Sequence, residues 1–80
     1  MRVMDEVIDL GPLGVMLLCV EGTPHDGMRL IDARGKEHAV ASVSENEGLY
    51  TLHLPDGDAD YFGRLFRDVR VDATLFEEAE

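Results

Sequence analysis

Eighty residues carry 17 acids against 7 bases, a net charge of −10, and make one small acidic domain spanning 1–80. Polyanionic DNA or RNA would be repelled by such a chain unless its bases cluster, so the charge speaks against nucleic acid and for a basic partner or plain solubility. An apolar share of 45% is ordinary for a globular domain and argues against disorder.

Residues 4–10 read as a strand: Met4, Ile8 and Leu10 share one parity, Asp5 and Asp9 the other, and Glu6 interrupts the alternation. Gly11-Pro12-Leu13-Gly14 breaks it. Residues 15–21 are apolar on both faces, as expected of a central or barrel strand, and too short for a core helix. After the turn-rich stretch 22–27, residues 28–32 form a short strand, and Ala33-Arg34-Gly35-Lys36 a hairpin turn. Residues 37–43 alternate loosely, with small residues at Ala39 and Ala41. Residues 44–48 turn the chain, and 49–54 place Tyr50, Leu52 and Leu54 on one side of a further strand. Over 59–67 the period changes: Tyr61, Phe62, Leu65, Phe66 and Val69 fall at helical spacing behind Asp58 or Asp60 as cap. Residues 69–75 return to alternation as a closing strand, and Glu77, Glu78 and Glu80 form a solvated acidic end.

Short strands with turns every 8–12 residues predict an all-β fold, a small six- or seven-stranded barrel with one short helical turn near 59–67. Closing a sheet removes edges that would otherwise pair with other chains. The spacing of Ile8, Leu10 and Gly14, the apolar strand after them, and Gly22 followed at five residues by Gly27 resembles the second domain of translation GTPases, the elongation factor Tu type of β-barrel. Residues 48–54 resemble a later apolar strand of that domain, and 61–71 its final turn. The resemblance implies a β-barrel and, as an alternative function, association with RNA or the ribosome. No Gly-x-x-x-x-Gly-Lys-Ser/Thr phosphate loop is present, so such a barrel stands alone or serves another chain.

The single cysteine, Cys19, rules out an internal disulfide and lies in an apolar run, where a buried structural thiol is expected. With Asp5, Glu6 and Asp9, the first ten residues are neither a secretory nor a transit segment, and the longest apolar run is far below the ~20 residues of a membrane span. The expected setting is cytoplasmic.

His25, His38 and His53 are the candidate metal ligands, with His38 and His53 expected near opposite positions of one hairpin. Their spacing matches no metal motif, and exposed polar positions explain them more simply, so no metal or cofactor is expected. Asp56-Gly57-Asp58-Ala59-Asp60 begins like a calcium loop, but Tyr61 stands at the sixth position and Arg67 at the twelfth, so a turn and a helix cap account for the acids. Arg64, Arg67 and Arg70, set among acids, read as solvated ion pairs. Ser42 and Ser44 lack a nucleophile elbow. The expectation is a non-catalytic cytoplasmic interaction module that binds an unknown protein, or a second copy of itself. A metal-dependent enzyme or sensor using the histidines is the further alternative.

Overall fold

The computed structural model describes residues 1–68 and 72–79. In chain order these form β1 (Arg2–Asp9), a 3-10 turn (Gly11–Leu13), β2 (Val15–Glu21), β3 (Arg29–Ile31), β4 (Glu37–Ala39), β5 (Ser42–Asn46), β6 (Leu49–Leu54), α1 (Ala59–Phe66) and β7 (Glu77–Ala79). The strands make two antiparallel sheets, β1-β2-β6-β5 and β4-β3-β7. The domain is mostly β with one short helix, as the spacing of its apolar residues predicts.

The two sheets meet at two corners. The Val40 amide donates to the Met28 carbonyl in the small sheet, whereas the next amide, Ala41, donates to the His53 carbonyl in the large one. The segment predicted as one strand over 37–43 therefore changes sheets between residues 40 and 41. At the second corner the Met1 amine donates to the Phe76 carbonyl at 2.9 Å, and the Phe76 amide returns a bond to the Met1 carbonyl at 2.7 Å. Arg2 bridges Leu75, and β7 then continues into the small sheet against β3.

Among the described residues the ladders remain two sheets and do not form the expected closed barrel. The reason lies at the end of β6. Pro55 has no N–H to continue a ladder, and the Gly57 amide turns back to the Leu54 carbonyl at 3.0 Å. The chain leaves β4 unpaired on that side, and a cleft of about 410 Å³ opens between β4 and residues 54–57.

Strand boundaries differ from expectation in two places. β5 runs to Asn46, and the turn after it shrinks to Glu47-Gly48, both at positive φ (54° and 83°), the two-residue hairpin that right-handed strand twist favours. The C-terminal strand is β7, formed from residues expected to be solvated. Within the predicted strand 69–75, residues 69–71 lie outside the described residues, 72–74 turn, and only Leu75 bridges. Glu77 and Glu78 are recruited because Phe76, buried to 1% exposure, anchors the segment and β3 offers an open edge. Glu80 is also outside the described residues.

The core draws Val3, Val15, Leu17, Cys19, Leu52 and Leu54 from the large sheet, and Leu30 from β3 with Met28 and Val40 beside the small sheet. Phe62 and Leu65 of α1 join them, with Ala73 and Phe76. Of the two caps the sequence left open, Asp58 is the one used: it accepts the Asp60 amide at 2.9 Å.

Candidate functional site

The three histidines do not converge. His38 pairs with Leu30 in the small sheet, His53 pairs with Ser42 in the large one, and His25 lies exposed in the 22–28 connection. The expectation that His38 faces His53 across a hairpin fails because the chain switches sheets between them. No group of three or more His, Cys, Asp or Glu that could hold a metal occurs among the described residues. His53 Nε2 donates to the Leu13 carbonyl at 2.8 Å and so ties the 3-10 turn to β6.

His38 is buried, not exposed, and belongs to a polar cluster that the sequence reading did not find. Its Nε2 donates to Asp32 Oδ2 at 2.8 Å, and the Tyr61 hydroxyl donates to the same oxygen at 2.5 Å. Asp32 Oδ1 accepts the backbone amides of Arg34 and Lys36 at 2.8 and 3.0 Å. The His38 ring lies 4.7 Å from that of Phe62, and the Lys36 ammonium lies 4.4 Å over the Tyr61 ring. Burial alone would raise the Asp32 pKa, but the bonds from Tyr61, His38 and the two amides outweigh it and hold the carboxyl below its ordinary value. Burial and the adjacent Asp32 carboxylate push the Tyr61 phenol up to about 12.

This arrangement fastens the 32–36 hairpin to α1. Four donors converge on the Asp32 carboxylate, close to its full acceptor capacity, and the tyrosine is locked in its protonated form at neutral pH. Neither group is poised to take or give a proton. The neighbouring cleft is walled by the Arg29–Glu37 ion pair at 2.9 Å, so charges of both signs line it.

Other predicted positions fall as follows. Cys19 is buried and its Sγ lies 3.5 Å from the Glu21 carbonyl oxygen, while burial pushes the thiol pKa up. Asp56 lies exposed in the turn after β6 and lines the cleft, Asp58 caps α1, and Asp60 stands in its first turn. Arg67 Nε donates to the Gly63 carbonyl at 2.8 Å, Arg64 is exposed, and Arg70 lies outside the described residues.

The surface feature that stands out is the outer face of the large sheet. Along β2, Val15, Leu17 and Cys19 point into the core, which places Met16, Leu18 and Val20 on the opposite face. Register sets Ile8 beside Met16, and Met16 beside His53. Leu49 shares the parity of Thr51, the partner of Leu18. Val20 is 51% exposed, Ile8 40% and Leu49 38%. The two-faced apolar character of 15–20, read from the sequence as a strand covered on both sides, is therefore half unsatisfied within this chain.

The carboxylates of the sheet mostly take the other parity: Asp9 pairs with Val15, Glu45 with Tyr50, and Glu21 stands two residues beyond Cys19. The four strands of the large sheet carry Asp5, Glu6, Asp9, Glu21 and Glu45 against one base, Arg2. Arg2 is already held by Asp72 through two bonds of 2.8 and 2.7 Å. The other described bases lie elsewhere: Arg29 on β3, Arg34 and Lys36 in the hairpin after it, Arg64 and Arg67 on and after α1.

No helix among the described residues is long and apolar enough to cross a membrane. No family model matches the chain, and no curated protein or solved structure matches it significantly.

Proposed function

We propose that this chain is a non-catalytic interaction module of the cytoplasm, and that the outer face of its large sheet is the surface that binds. The carrying observation is the exposed apolar row of Ile8, Val20 and Leu49 around Met16 and Leu18. Contiguous exposed apolar surface on a small protein marks a contact site more often than chance scatter does. A core as small as this one also gains from a partner that covers such a face. The saturated Asp32 carboxylate and the scattered histidines support a binding role over a catalytic or metal-dependent one.

On this reading the two sheets act as one barrel-like shell, hinged at residues 40–41 and at the Met1–Phe76 corner, in the manner of the translation-factor barrel that the glycine spacing resembles. Association with RNA or the ribosome is the less favoured reading, because a chain of net charge −10 repels phosphate.

A photo-crosslinking residue placed at Val20, with a control at exposed Glu78, tests the proposal in cells. Protein adducts formed through position 20 and absent at position 78 are expected. Equal labelling at both positions, or none at 20, contradicts it.

A further inference from the structure

We infer that the cleft beside β4 takes an extended peptide segment of another protein, which adds one strand to the small sheet. The site lies apart from the outer face of the large sheet and stands or falls without it.

The edge of β4 is chemically unfinished. The Val40 amide donates to the Met28 carbonyl and the Asp32 amide to the Lys36 carbonyl, each at 2.9 Å. Bonding alternates along an antiparallel ladder, so between these two bonds Leu30 and His38 are the bonded pair, and Glu37 and Ala39 turn their N–H and C=O away from β3. Ala41 continues that series, and its amide donates to the His53 carbonyl at 2.9 Å. Glu37 and Ala39 find no such partner among the described residues. The register that sets Ser42 beside His53 would, along a straight β6, set Ala39 beside Asp56. Pro55 and the turn closed by Gly57 take the chain out of that place. The cleft is the seat of a strand that this chain does not supply.

The chemistry of the edge selects the occupant. Two donors and two acceptors at strand spacing are matched by another extended backbone. Three residues of strand take about 10 Å of length, about 4.8 Å of sheet width and about 10 Å of thickness, a space on the order of the 410 Å³ cleft. Residues 54–57 form the far wall, so the cleft holds a single strand and not the edge of a second sheet. A second copy offering its own β4 would drive its β3 into that wall. Charge, which blunts many exposed edges, is tied up here, since Glu37 is held by Arg29 at 2.9 Å. The lining carries two bases, Arg29 and Lys36, and two acids, Glu37 and Asp56, so no net charge is demanded of the peptide. Alternation turns one of its side chains inward beside His38 and Leu54, where an apolar group fits, and leaves its neighbours on the exposed side beside Glu37 and Ala39.

The test follows backbone amide signals of the labelled full chain during titration with the neutral, end-blocked peptide Thr-Val-Thr-Val-Thr. Saturable changes are expected at residues 37–39 and 54–57. With valine inward, the threonine N–H groups are those that meet β4. Methylating the threonine nitrogens should therefore weaken binding at least about tenfold, whereas methylating the valine nitrogens should change it less than about threefold. Ala39→Pro removes an N–H that β3 does not use, at an edge position where proline is tolerated, and should weaken the unmodified peptide about tenfold with circular dichroism unchanged. If that variant does not fold, the methylated peptides decide alone.

Equal binding by both methylated peptides would mean that side chains and not the β4 edge are recognised, and overturns the inference. Changes centred on Met16, Leu18 and Val20 overturn it too, and leave the outer face as the one binding surface. A concentration-dependent doubling of mass in light scattering, removed by Ala39→Pro, makes a second copy the occupant and also overturns it. So does the absence of any change at millimolar peptide, which leaves the outer-face reading untouched.

Discussion

At the scale of single residues, the Asp32 cluster makes the sharpest statement. Tyr61→Phe removes one hydrogen bond to a charged acceptor and should cost about 1.5–3 kcal/mol in a denaturant titration. The pH dependence follows from two shifts of opposite sign. The Tyr61 phenol is raised to about 12, so its contribution is complete below the ordinary phenol value near 10 and is lost as pH climbs through about 12. The Asp32 carboxyl is lowered, so its contribution is complete above the ordinary carboxyl value and is lost as pH falls through its depressed value. A phenolate absorbance titration should lose its component near 12 in Tyr61→Phe and keep it in the parent chain. An unchanged titration would remove the Tyr61–Asp32 bond from the account. Glu47 makes a second residue-scale case, because it holds a positive φ of 54° that disfavours its side chain. Glu47→Asn fits the same turn with less strain and should raise stability by about 0.5–1 kcal/mol; a loss in thermal unfolding would contradict the turn geometry.

Secondary structure shows why some of the fold was legible and some was not. The alternation of 49–54 gave β6 because its inward side chains recur with period two, and the apolar run 15–20 gave β2 because it is too short for a core helix. The helix was legible from Tyr61, Phe62, Leu65 and Phe66 and its Asp58 cap. Residues 37–43 misled, since nothing in Ala39-Val40-Ala41 marks the point where a strand trades one partner for another. β7 misled because pairing with β3 is a long-range event that Glu77 and Glu78 do not announce. The polar cluster was invisible for the same reason: Asp32 and Tyr61 stand 29 positions apart. Gly14 tests the junction between β1 and β2. It has a φ of 93°, and a Cβ there would stand 2.2 Å from the Leu54 carbonyl oxygen. Gly14→Ala should therefore destabilise the domain by about 2–4 kcal/mol in chemical denaturation, and a change below about 0.5 kcal/mol would show that the close approach is absent.

For the molecule as a whole, charge and size act together. A chain of −10 repels itself when compact, and that repulsion is screened by salt. Raising the salt from about 50 to about 500 mM should increase the melting temperature, a trend that a neutral domain of this size would not show. The sequence showed the apolar strand; only the register places Val20 and Leu49 on the outer face of the sheet.

The most direct test of the account is a residue-by-residue footprint, the change in backbone amide signals of the labelled full chain on addition of an apolar surface-binding dye. The account predicts perturbations concentrated at Met16, Leu18, Val20, Leu49 and Thr51, with little change along the 32–36 hairpin or α1. Perturbations centred on that hairpin or on α1, or none at saturating dye, would contradict it.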